Sequence, residues 1–332
     1  MRRRISIVFA VVLAVAALSP VYALEGTNGY ALDPAAPVVT VSAVASLSEW
    51  SAYAQTGLGT TLNGSTTGSD GIALDSTGRL YATARVTDAY GLNRMDGVVR
   101  VEADGSGLET LLQWDSREVY SNARGVWNQD GYIRAIDVTS VFVPSTGVLE
   151  ERLVVVRSAY DDVSDVMTSE VVAYELSAGS DGEYDGEFLF DWETGVQVNL
   201  HLATDASTGD LYLLEATAQE TTTYDGGIRR FAWSSANGGY LEQTAVTSNY
   251  TAYTDLIFLN GRLYTFDADS RTDGSTDTIL EVDPTQTDSY GSYAYLKDPR
   301  NSPPNGYYGW AKADGTLYVA EYSYKKRRSG FI

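Results

Sequence analysis

Apolar and polar positions along this chain alternate in short runs, and four of these runs are copies of one another. They read GIALDSTGRLYATA from Gly71, HLATDASTGDLYLLEA from His201, DLIFLNGRLYTFDA from Asp255 and GWAKADGTLYVAEY from Gly309. Each copy is an apolar run, a turn containing Gly, then Leu-Tyr and a second apolar run. Period-two alternation broken by a Gly turn is the pattern of a β-hairpin. The last three copies start 54 residues apart. A fixed period of this size marks a repeat architecture. No stretch carries the 3.6-residue periodicity of an amphipathic helix.

Two further strands follow each hairpin. The third reads GVVRVEAD from Gly97, EVVAYEL from Glu170, GIRRFAW from Gly227 and ILEVDP from Ile279. The outer, fourth strand ends at Trp114 and Trp192, and recurs at Tyr240 to Val246 and Ser292 to Leu296. Units of four short antiparallel strands, repeated about an axis, make a β-propeller.

From Gly71 to His201 is 130 residues, more than two periods, so a degraded copy lies between. Val141 to Gly147 resembles Ile72 to Gly78, with Leu153 to Ser158 as its second strand. This gives five blades, with six as the alternative. The final unit has no outer strand, while the run from Pro37 to Trp50 is an outer strand without a unit. Pairing the two closes the ring and removes its exposed edge. The expected organisation is an all-β propeller domain over residues 37–332, preceded by a leader at 24–36.

Residues 1–23 read as a secretory signal: Arg2 to Arg4, an apolar run from Ile5 to Leu18, and the small-residue cleavage pattern Val21-Tyr22-Ala23. The expectation is a secreted protein with no membrane span after cleavage. It has no cysteine, which excludes thiol catalysis and leaves stability to the size of the core. Losing the three signal arginines takes the formal charge from −21 to −24. Such acidity argues against nucleic acid and anionic membranes as partners, and fits cationic partners, divalent metal or a saline habitat.

In a propeller the inner strand of every blade starts at one face of the central channel. Asp70-Gly71, Thr139-Ser140, Leu200-His201, Thr254-Asp255 and Tyr308-Gly309 are expected around that mouth. The irregular interval places residues 118–138 over it as a lid loop, with Arg124, Trp127 and Asn128 as candidate ligand-binding residues. Tyr308 and Trp310 are candidates as flat aromatics that can stack on sugar rings. His201, the lone histidine, is the candidate catalytic residue, as general base, metal ligand or structural group. Asp70 and Asp255 are candidate Ca²⁺ ligands, or else caps of turn N–H groups. There is no G-x-S-x-G elbow, no P-loop and no H-E-x-x-H.

The phrase DGIALDSTGRLYATA, from Asp70 to Ala84, resembles the innermost hairpin of the NHL and gluconolactonase-like propellers, the broad TolB-like group. The resemblance implies the propeller architecture. Lactonases of that group hold an axial metal through Glu, Asn and Asp, and Asp70 stands where the Glu is sought. Its streptogramin-lyase-like members use a His near the axis, for which His201 is the candidate. The resulting expectation is a monomeric secreted propeller binding a small molecule, carbohydrate or protein at the mouth. The alternatives are a Ca²⁺-assisted hydrolase, lactonase or lyase, and an extracellular structural or protein-interaction module.

Overall fold

The computed structural model describes residues 71–87, 93–103, 106–121, 126–161, 166–180, 182–193, 198–217, 227–244, 246–248, 253–267, 277–287, 290–296, 306–311, 317–322 and 330–331, with two-residue strands at 11–12, 42–43 and 66–67. The described residues contain no helix. Apart from a short pairing of Val11–Val12 with Ser42–Ala43, they form five antiparallel sheets in sequence order. The rest of the expected signal, the leader and most of the strand expected at 37–50 lie outside the described residues.

The first sheet runs Ile72–Leu74, Leu80–Thr87, Asn93–Val101 and Glu109–Ser121, with Thr66–Thr67 and Val126–Asp130 added. The second runs Ile133–Phe142, Leu149–Asp161, Val166–Tyr174 and Gly186–Glu193. The third runs Val198–Asp205, Asp210–Thr217, Gly227–Ser234 and Gly239–Glu242, with Thr247–Ser248 also on its third strand. The fourth runs Tyr253–Leu259, Arg262–Asp267, Asp277–Val282 and Tyr290–Leu296. The fifth shows Gly306–Ala311, Leu317–Tyr322 and Gly330–Phe331. These antiparallel meanders, four of them containing four consecutive paired strands, are consistent with the blades of a β-propeller.

The repeated Leu-Tyr is the core signature. Leu80 and Tyr81, Leu211 and Tyr212, and Leu263 and Tyr264 are all buried. Alternation puts successive side chains on opposite faces of a sheet, so each pair supplies apolar groups to both faces. Burial pushes the Tyr81 and Tyr212 phenols up to about 12, so both stay neutral donors. A second recurring feature is a bulge. The third-to-outer pairing shifts register at Val98/Val99, Val171/Val172 and Ile279/Leu280. Each shift leaves one extra outer-strand residue, Leu111, Leu189 or Tyr293.

Turn chemistry repeats as well. Asp75 Oδ1 accepts the Thr77 N–H at 2.9 Å, the Thr77 hydroxyl at 2.7 Å and the Arg79 N–H at 2.9 Å. Burial alone would raise its pKa, but the Thr77 and Arg79 hydrogen bonds and the Arg79 charge outweigh it and hold the carboxyl below its ordinary value. Asp205 caps Ser207, and Asp283 caps Thr285, in the same way. The fourth hairpin uses Asn260-Gly261 with φ of 52° and 77°, the two-residue turn whose twist matches paired strands.

The protein divides into two compact units, one of residues 1–21, 34–139 and 151–196, the other of 22–33, 140–150 and 197–332. In the first, Ala73, Tyr81, Val98, Leu112, Ile133, Ile136 and Val155 pack together between the first and second sheets. In the second, Ala203, Tyr212, Leu214, Ile228, Leu256, Leu263 and Leu280 pack between the third and fourth. Within this second unit, inner strand Tyr253–Leu259 lies beside the inner strands of both the third and fifth sheets.

The segment expected as a lid loop is largely paired backbone. Glu109–Ser121 continues beyond Trp114 and turns back as Val126–Asp130, with Tyr120 opposite Trp127 and Val119 opposite Asn128. The remainder, from Ile133, is the inner strand of the second sheet. Backbone pairing onto an existing strand needs no fixed side-chain pattern, so this stretch, without the Leu-Tyr pattern of the repeat, does not announce itself as a hairpin.

Candidate functional site

His201 lies on the inner strand of the third sheet, directly opposite Leu214. Buried Leu200 and Leu202 flank it on the other face. His201 therefore shares the face of Leu214 and Ala203, which packs against the fourth sheet. Asp255 lies on the inner strand of that fourth sheet. Register there jumps from Tyr253 opposite Asp267 to Leu256 opposite Thr265, so Thr254 and Asp255 together face Phe266. Two residues against one is a β-bulge, a device that re-aims a side chain.

The outcome is a pair across the seam between two sheets. His201 Nδ1 is 3.5 Å from Asp255 Oδ1, with 19% and 21% of the two side chains exposed. That separation is within ion-pair range but longer than a well-formed N–H···O hydrogen bond. Two contacts hold the aspartate in place. Its Oδ1 accepts the Leu256 N–H at 2.9 Å, and its backbone carbonyl oxygen accepts the Thr265 hydroxyl at 2.8 Å. Thr265 is fully buried. A carboxylate at Nδ1 favours the tautomer with its proton there and leaves Nε2 as an acceptor for a ligand or a reacting proton.

The fold does not require this pair. Gly71 occupies the same rung of the first hairpin, since it exchanges backbone and hydroxyl hydrogen bonds with Thr83. Thr83, like Leu214, is the fourth residue counted from the repeat's Leu. A Cβ on Gly71 would lie 2.9 Å from Ile136 Cγ1 and 3.1 Å from Ile136 N. The rung between the first and second sheets is thus closed by glycine against isoleucine. The corresponding rung between the third and fourth sheets carries two titratable groups that solvent can reach. Placing polar groups in an inter-sheet seam costs stability unless they are satisfied; here Asp255 accepts the Leu256 N–H and both groups keep contact with solvent.

The other candidates fare differently. Asp70 and Arg124 lie outside the described residues. Trp127 and Asn128 are on the added strand of the first sheet, and Tyr308 and Trp310 are on the inner strand of the fifth. Among the described residues no group of three or more His, Cys, Asp or Glu is placed to hold a metal ion. The hairpin register also moves one alignment. Tyr308, not Gly309, faces Ala320, the fourth residue from Leu317, and so shares the rung of His201. Thr265 and the bulge at Asp255 carry no sequence signal that would have singled them out.

No protein-family model matches the sequence, and no curated protein matches it. Among solved structures, it is similar to cobalt-substituted apocarotenoid oxygenase of Synechocystis at 12% identity, covering 83% of this chain and 60% of that one, with a TM-score of 0.42. The protein thus spans 60% of the length of that oxygenase. A thermostable family-43 glycoside hydrolase is similar at 14% identity over 79% of this chain and 85% of the hydrolase, with a TM-score of 0.42. A glucose dehydrogenase is similar at 13% identity over 80% and 98%, with a TM-score of 0.39. All three are distant likenesses.

Proposed function

We propose that this protein is a secreted five-bladed β-propeller, its ring closed by the N-terminal strand, that binds a small polar molecule at the His201–Asp255 seam. The observation that carries the reading is the pair itself, a partly exposed seam of imidazole and carboxylate at a rung that glycine and isoleucine close elsewhere. A neutral polar ligand, a carbohydrate among them, offers the hydroxyl groups that such a pair can both accept from and donate to.

One feature favours a second reading as a hydrolase or lyase. Asp255 stands at Nδ1, the nitrogen through which an orienting carboxylate acts, and this leaves Nε2 to take a proton from water or substrate.

A thermal-shift screen of monosaccharides, sugar acids and their lactones tests both. A stabilising compound should lose its effect in His201→Ala and weaken in Asp255→Asn. Compounds that stabilise all three proteins equally would refute the site. Turnover of a stabilising compound by the wild type, lost in His201→Ala, would decide for the enzyme.

A further inference from the structure

Resting on the reading of the His201–Asp255 seam as a ligand site, we propose that Thr265 is its positioning residue. Its buried hydroxyl holds the strand bulge that turns the Asp255 carboxylate onto His201. Alternation sets the problem. Leu256 packs in the core between the third and fourth sheets. On a regular strand its neighbour Asp255 would point to the opposite face, away from the third sheet. Asp255 nevertheless reaches His201, which lies on an inner strand of that third sheet. The register jump between Tyr253 and Leu256 reconciles the two.

Such a bulge has to be held, because an extra residue disrupts the ladder locally. Thr265 lies directly opposite Leu256, and so on the face turned toward the third sheet. Its hydroxyl donates to the Asp255 carbonyl oxygen at 2.8 Å. The side chain is fully buried, so water cannot take over that bond. The Asp255 carboxylate also accepts the Leu256 N–H, but every residue except proline offers that donor. The hydroxyl is the part that depends on residue identity. Other hairpins supply the comparison. The equivalent rung pairs Ile72 with Ala82, Leu202 with Leu213 and Gly309 with Val319. None of these carries a hydroxyl, and none of the three hairpins shifts register along its described pairing. The fourth hairpin has both the hydroxyl and the shift. Threonine is an ordinary strand residue, and the register is what marks this one. Flanked across the sheet by Leu256 and Leu280, its hydroxyl would be costly to bury unless bonded. Thr265 thus acts through Asp255, keeping the carboxylate at Nδ1 and Nε2 open to a ligand.

The lone histidine makes the test direct, because the protein has one imidazole and hence one ring signal. The ring nitrogen shifts of the labelled full-length protein report the His201 tautomer. They are recorded without any ligand, at a pH where the ring is neutral. Asp255→Asn should move these shifts from their wild-type values. Thr265→Val, which removes the hydroxyl, should move them in the same direction, and Thr265→Ser should restore them. Leu280→Val loosens the same core opposite Thr265 without removing a hydroxyl, and should leave them unchanged. Should Thr265→Val fail to fold, Thr265→Ala is read in its place. Wild-type shifts in the folded Thr265 variant would overturn the assignment. So would an equal move in Leu280→Val, which would make the effect one of packing. Either result leaves the ligand screen standing, and a screen without hits leaves this geometry standing, so the two failures are distinct.

Discussion

Asp96, on the third strand of the first sheet, accepts the backbone N–H of Ile133 on the inner strand of the second sheet at 2.9 Å. Its other oxygen accepts the Ser116 hydroxyl at 3.2 Å. All three residues are buried, Asp96 to 1% exposure. A buried acceptor joining two sheets is costly to delete, because its donors lose their partner without regaining water. Asp96→Ala should lower unfolding free energy by about 1–3 kcal/mol for each donor left without it. Asp96→Asn, which keeps one acceptor oxygen, should cost less. Urea unfolding of the three proteins measures this, and equal midpoints would show that the link carries no stability.

Gly71 gives a packing prediction. A methyl group there would press on Ile136 Cγ1, which can turn, and on Ile136 N, which is backbone and cannot. The two strands must part for Gly71→Ala, so the substitution should destabilise by about 1–3 kcal/mol, as overpacked cores do. Adding Ile136→Val to the variant should recover only the part due to the side chain. Full recovery would mean that the backbone approach is not limiting.

Asp283 gives a pH dependence with a definite sign. The Thr285 hydroxyl, then the Thr285 N–H and the Arg262 guanidinium, lower its carboxyl pKa from 3.8 to about 2. Arg262 Nη1 lies 2.5 Å from Asp283 Oδ2. A carboxyl depressed in the folded state stabilises fully above its unfolded value and loses that contribution as pH falls through the folded value. The stability gap between wild type and Asp283→Asn should therefore be constant above pH 3.8 and close toward about pH 2. A gap independent of pH across that window would show that the charge contributes nothing.

Much of the strand plan is legible in the sequence because its causes are local. The four hairpins, the third strands at Gly97, Glu170, Gly227 and Ile279, and the degraded copy near Val141 all coincide with observed strands. Gly and Asp turns with alternating apolar residues act over a few residues, and reading neighbours is enough to find them. The stretch from Glu118 to Asp130 reads as a loop in sequence yet forms paired strands, because it lacks the Leu-Tyr pattern of the repeat and its pairing is made by backbone groups that every residue carries. Asp96 gives no sequence signal either, since its meaning depends on Ile133, 37 residues away.

The sequence by itself determined a repeated four-stranded unit, a cysteine-free acidic composition, and two departures from the repeat, His201 and Asp255. Tertiary structure decided that these two meet. A bulge of one residue at Asp255 redirects a side chain that a regular strand would have placed by simple alternation. The packing of one sheet on the next then carries it to an imidazole 54 residues earlier in the sequence. Local patterns specify strands because backbone geometry is local. Which polar groups share a seam is set by how sheets stack, and that has no short-range signature.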